Sequence, residues 1–133
     1  MTEDLHFLEH CLYLARQSVQ QGMEPFSALL VKEGKILASS HDKSIPYCDP
    51  TAHAELSLIS EYCRKNKHLS LEGYTLYSFV EPCVMCSGAI HWARISRVVF
   101  GMSQGALQSR SGGKAKPSCE FLINTGRRNI VID

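Results

Sequence analysis

YTLYSFVEPCVMCSGAIHWARISRVVFG, residues 74–101, reads as a strand, a helix and a second strand. YTLYSFV has the aromatic and β-branched content of a strand. Pro82 suits the opening of a helix predicted over roughly 82–94, and RVVFG is again strand-like. The alternation extends outward. DPTAHAELSLISEYCRK predicts a helix over about 50–66, with Asp49 as N-cap and Pro50 at the first helical position. FSALLVK and KILASSH, joined by a turn at Glu33-Gly34, read as a hairpin. Leu5, Leu8, Leu12, Ala15 and Val19 recur at helical spacing over 3–21, and Gly22 ends that helix. The terminal NIVID reads as a last strand. Residues 101–119, rich in Ser, Gly, Gln and basic side chains, read as a long loop or lid. Strands alternating with helices predict an α/β domain of three layers, α/β/α.

A chain of 133 residues is most simply one domain, 1–133, large enough for a core without disulfide staples. The acidic N-terminus MTEDLHFLEH has neither a basic region nor a long apolar run, which predicts no signal peptide and no membrane span. The expected location is the cytoplasm, where thiols stay reduced, so the six cysteines (11, 48, 63, 83, 86 and 119) do not read as three bridges. A net charge of +1 argues against a general nucleic-acid binder. The charge is uneven, however: residues 1–100 hold 9 Lys/Arg and 11 Asp/Glu, residues 101–133 hold 5 and 2. The basic tail reads as a solvated face or as a contact for RNA.

Both central helices carry metal-ligand residues in their first turns: His53 and Glu55 in one, Cys83 and Cys86 in the other. The cysteines are i, i+3 and share one side of their helix. His53 and Glu55 are i, i+2, roughly 200° apart around an ideal helix. They can share a target above the helix N-terminus, toward which side chains tilt, but not one alongside it. A metal is therefore expected at the mouth of two helix N-termini, whose positive ends favour an anionic site. A redox CxxC pair would leave the HAE stretch unused. A structural zinc needs a fourth protein ligand. His91 lies on another face, Cys63 about 15 Å along its helix, and Cys48 is the one serious candidate. Cys48 sits just before the expected cap, so an open zinc position filled by water is the better reading. Zinc lowers the pKa of a bound water to about 7, and Glu55 is placed to take that proton.

DPTAHAEL and EPCVMCSGAI, at suitable separation, resemble the cytidine and deoxycytidylate deaminase superfamily, whose signature is H-x-E followed by P-C-x-x-C. The likeness runs from the first helix to about Gly101. Its branch is similar to guanine deaminase, cytosine deaminase and tRNA adenosine deaminase. The resemblance implies a central mixed five-stranded sheet, a homodimer and one zinc (Zn2+) per chain, held by His53, Cys83, Cys86 and a water. It implies Glu55 as proton shuttle in a hydrolytic deamination that releases ammonia. The Ala54 N–H would contact the substrate base, the Glu81 carbonyl would accept its amino group, and Phe26 would pack against it or serve as a core strand residue. Asp42 stands where many relatives place Asn. It reads either as an acceptor facing substrate donors or as a solvated loop residue.

The expected substrate is a small nucleobase or nucleoside, because charge is near neutral and the tail of the tRNA enzymes is missing. A tRNA adenosine is the second reading and a non-catalytic zinc module closed by Cys48 the third. His6, His10, His41 and His68 are expected on the surface or in loops, His91 and Trp92 at the core or a dimer surface. Cys11, Cys63 and Cys119 are expected as buried small side chains.

Overall fold

The computed structural model describes residues 2–103, 119–124 and 131–132. In chain order the elements are α1 (Thr2–Gln20), β1 (Ser27–Lys32), β2 (Lys35–His41), α2 (Ser44–Tyr47), α3 (Ala54–Asn66), β3 (Thr75–Val80), α4 (Val84–Ala93), β4 (Arg97–Met102), α5 (Cys119–Ile123) and β5 (Val131–Ile132). The sheet is mixed, in the order β2-β1-β3-β4-β5. β1 is antiparallel to both neighbours, whereas β3, β4 and β5 run parallel. Four strands of six or seven residues carry the sheet, and β5 adds two residues at its edge, so the five-strand expectation is met only in part. The rest of NIVID and most of the segment expected as a loop over 101–119 lie outside the described residues.

β1 shows why the fold has three layers. Its first five residues, Ser27 to Val31, are all buried, which requires cover on both faces. Side chains alternate across a strand. Ala28 and Leu30 point to one core with Leu76, Val98, Leu58, Ile90 and Ile123. Leu29 and Val31 point to the other with Phe7, Cys11, Tyr77 and Val99. The first core is roofed by α3, α4 and α5, the second by α1. The β1–β2 hairpin turns through Glu33 and Gly34, both at positive φ (52° and 76°), as a two-residue turn matched to strand twist requires.

Helix α1 ends as expected. Gly22 has φ 81°, Met23 N–H reaches Ser18 O and Gly22 N–H reaches Val19 O, the pattern of a Schellman stop. Its apolar stripe is displaced, however. Phe7, Cys11, Ala15 and Ser18 are buried, whereas Leu5 and Val19 are 61% and 52% exposed. The phase is set by what the sheet offers. Phe7 packs on Tyr77 with ring centroids 4.9 Å apart. Asp4 accepts hydrogen bonds from Arg97 (2.9 and 2.7 Å) and from the Tyr77 hydroxyl (2.6 Å).

The sheet registers gather the loops that matter. Ser27 pairs with His41 and Ala28 with Ser78. The residues just beyond, Phe26, Asp42 and Val80–Glu81, therefore emerge at one end of the sheet. Asp42 N–H donates to Phe26 O at 3.1 Å, and Lys43 N–H to Ala52 O at 2.9 Å. This is the carboxyl end of β3 and β4, where open α/β sheets place their ligands. No helix among the described residues is long and apolar enough to cross a membrane.

Candidate metal centre

His53 and Cys83 are N-cap residues, not members of their helices. His53 has extended backbone (φ −69°, ψ 158°), and α3 begins at Ala54. Cys83 likewise (φ −72°, ψ 178°) precedes α4, which begins at Val84. Their carbonyls accept the first helical bonds, from Ser57 N–H (2.9 Å) and Ser87 N–H (2.8 Å). Neither side chain caps its own helix. Asp49 is not the cap expected of it. Its carboxylate closes a turn on the Thr51 N–H (2.8 Å) and hydroxyl (2.7 Å), so Pro50 lies in that turn and the helix starts later. The difficulty of His53 and Glu55 lying far apart around one helix disappears, because His53 is free of the helical period.

The imidazole and two thiols meet where the two helix N-termini converge. His53 Nδ1 is 3.5 Å from Cys83 Sγ and 3.8 Å from Cys86 Sγ, and the three ligand atoms all lie within 4.8 Å of one another. Tetrahedral zinc, with Zn–S near 2.3 Å and Zn–N near 2.05 Å, has an N···S edge of about 3.6 Å. The donor set therefore fits that ion in both chemistry and spacing. Cys86 is fully buried, while His53 and Cys83 are half-buried. Cys48 does not join the group. It is exposed, in left-handed conformation after α2 (φ 51°). The Cys83 thiol is drawn down to about 5, first by its hydrogen bond with Cys86 and further by α4 backbone N–H groups. The Cys86 thiol, the donor of that bond and buried, is driven upward.

Glu55, in the first turn of α3, is 6% exposed. Burial pushes its carboxyl up to about 7. Its own backbone N–H opposes the rise, the Cys83 charge adds to it, His53 opposes it, and Asp42 adds a little more. The group is thus close to the two cysteines and holds or releases a proton near neutrality.

The remaining expected residues divide by environment. Ala54 is fully buried at the first position of α3. Phe26 packs half-buried against the helix-side core from the position just before β1, outside the strand that the sequence predicted to include it. Asp42 is 2% exposed, which overturns the solvated-loop alternative. Its Oδ1 accepts from Ser44 N–H (2.9 Å) and Ser44 Oγ (2.5 Å), fixing the start of α2. Glu81 is buried, and its carboxylate accepts the Cys119 N–H at 2.7 Å. Sequence reasoning missed that side-chain role, as it missed the His91 Nδ1 to Ile123 O bond (2.6 Å). Both partners lie on a five-residue helix without a periodic signal. Cys11 and Cys119 are buried as expected, Cys63 only partly.

The family model for the cytidine and deoxycytidylate deaminase zinc-binding region matches residues 1–102. The chain is 41% identical over 108 residues to the tRNA-specific adenosine deaminase of Aquifex aeolicus, covering 81% of this chain and 69% of that protein. It is 40% identical over 95 residues to the guanine deaminase of Bacillus subtilis, covering 71% and 61%. A solved structure from work on A-to-I editing by tRNA:A34 deaminases at the wobble position superposes with TM-score 0.80 at 32% identity, over 96% of this chain and 95% of that one. The X-ray structure of the Bacillus subtilis guanine deaminase superposes with TM-score 0.74 at 36% identity, over 79% and 68%.

Proposed function

The chain belongs to the cytidine and deoxycytidylate deaminase family, and from that premise we propose how its residues share the reaction. It is a zinc-dependent hydrolase of C–N bonds that removes the exocyclic amino group of a nucleobase or nucleoside. His53 through Nδ1, Cys83 and Cys86 hold one zinc per chain. The observation that carries this is the pair of Nδ1–Sγ distances, 3.5 and 3.8 Å, with the buried Glu55 carboxyl beside them. Zinc bound there supplies a water acidified to a pKa of about 7.

Glu55 is the proton carrier. It takes a proton from the attacking water and delivers it to the ring nitrogen, then takes the proton of the new hydroxyl and delivers it to the departing amine as the C=O bond forms. Water adds at the ring carbon, the C–N bond breaks, and the products are the keto base and ammonia. The Ala54 N–H and the Glu81 carbonyl orient the base, the latter by accepting a hydrogen from the amino group. Phe26 borders the base at the same end of the sheet. Residues 1–133 form one such domain.

The substrate is a small nucleobase or nucleoside. Asp42 supports this choice. Its carboxylate is acceptor-only and pinned by Ser44, so it calls for a donor on the substrate, such as a purine ring N–H or a sugar hydroxyl. A tRNA adenosine is the second reading, favoured by the nearly full mutual coverage of the tRNA:A34 deaminase structure. The test is an ammonia-release screen of zinc-loaded protein against guanine, cytosine, adenine, their nucleosides and a tRNA anticodon stem. Release from the free compounds supports the first reading. Release from RNA alone makes that reading wrong.

The assembly is a homodimer in the cytoplasm. Between α3 and α4 lies a groove of about 360 Å³, lined by Leu56, Ile59, Leu69, Ala89 and Trp92. Trp92 (76% exposed) and Leu69 (95%) stand out around it. A contiguous apolar face of this kind is the usual sign of an association surface.

A further inference from the structure

Residue 81 is held from three sides. Its backbone N–H donates to Met102 O at 2.7 Å, which ties it to the end of β4. Its carboxylate, buried with the rest of the residue, accepts the backbone N–H of Cys119 at 2.7 Å through Oε2. The Cys119 thiol donates to the same carboxylate, and burial with this neighbour holds that thiol protonated, up to about 12. The far end of α5 is tethered too, by His91 Nδ1–H to Ile123 O at 2.6 Å. His91 lies on α4, five residues beyond Cys86. Helix α5 is therefore clasped at both ends by the segment that carries the two metal-site cysteines.

The next peptide lacks a backbone donor. Pro82 has no N–H to donate, so on that side the plane that carries the Glu81 carbonyl is held by packing of the fully buried Pro82 ring and not by a hydrogen bond from its nitrogen. A residue before proline is confined to extended backbone, but within that region its ψ still varies. On its other side residue 81 is held by its own N–H and by its side chain.

We propose that the Glu81 carboxylate is a positioning residue for deamination, clasping Cys119 so that the Glu81 backbone carbonyl stays aimed at the substrate amino group. This rests on the deaminase reading above and adds to it a side chain that need not touch substrate. The hydrogen bond it aims matters most as the amine takes on positive charge and leaves, so its loss appears in kcat and not in KM.

The test measures ammonia release per zinc-loaded chain, on the best compound of the screen, beside amide hydrogen exchange of residues 119–124. Glu81→Ala is expected to lower kcat at least tenfold, about 1.4 kcal/mol, with KM within threefold and faster exchange in α5. Glu81→Gln keeps an oxygen for the Cys119 N–H and is expected to stay within threefold of wild type. Cys119→Pro removes the N–H at the first position of α5, where helices tolerate proline, and leaves Glu81 intact. It is expected to reproduce the fall in kcat, and it serves if Glu81→Ala does not fold. Faster exchange in α5 with unchanged kcat overturns the positioning role and leaves the deaminase standing. An equal loss in Glu81→Gln and Glu81→Ala also overturns it. A zinc-loaded wild type that releases no ammonia overturns the deaminase reading, and this inference with it.

Discussion

Glu55 and His53 are separated by one residue and sit in different surroundings because a helix starts between them. His53 is the last extended residue and swings its ring toward the cysteines, while Glu55 sits inside the first turn of α3 and is buried. The residue types and their spacing were legible in the sequence. The cap positions were not, because Asp49-Pro50 is an equally good helix start until Asp49 is seen spending its carboxylate on Thr51. Substitutions separate the roles. Glu55→Gln keeps the shape of the side chain but cannot carry a proton. It should lower turnover by about 10² to 10⁴ while zinc, read by atomic absorption, stays at one per chain. Cys86→Ala removes a ligand atom from the fully buried position of the triad. Zinc should then fall well below one per chain after dialysis against a mild chelator, and full retention would remove Cys86 from the ligand set.

At the scale of elements, α1 is the instructive case. Periodicity correctly gave a helix and its glycine stop, but a face only partly right: Ala15 is buried and Leu8 packs on the core, whereas Leu5 and Val19 are exposed. The stripe Leu5, Leu8, Leu12, Ala15, Val19 and the true stripe Phe7, Cys11, Ala15, Ser18 overlap on a helix rich in apolar residues. The choice is made by partners distant in sequence: Tyr77 for the ring of Phe7, and Arg97 and Tyr77 for Asp4. Those bonds hold the Asp4 carboxyl at about 2, below its ordinary 3.8, with the Arg97 hydrogen bonds as the largest cause. A depressed carboxylate stabilises the fold fully above its unfolded pKa and loses that contribution as pH falls through the folded one. Thermal stability should therefore drop between about pH 4 and pH 2, and Asp4→Asn should flatten that part of the profile. The pair is partly solvent-screened, so Tyr77→Phe should cost about 1 kcal/mol in denaturant melts. In the opposite core, Ile90→Ala, at a site with no exposure, should cost about 2 to 5 kcal/mol.

For the whole molecule, the three layers followed from alternation of strands and helices, and β1 with both faces covered bears this out. Periodicity and spacing alone do not bring Phe26, Asp42 and Glu81 to one end of the sheet; only the family resemblance implied that they share a site. Their meeting depends on strand register, which pairs Ser27 with His41 and Ala28 with Ser78. The α3–α4 groove was equally hidden, since Trp92 reads alike as core or surface. If two copies join there, Trp92→Glu should shift sedimentation from dimer to monomer without loss of fold. An unchanged dimer would assign the interface to another face. The most direct measurement is ammonia release by wild type and Glu55→Gln at equal, verified zinc content, across the panel of bases, nucleosides and tRNA stem. The deaminase assignment predicts release from at least one member by the wild type and a loss of at least a hundredfold in the variant. No release from any member, or equal release by both proteins, would contradict it.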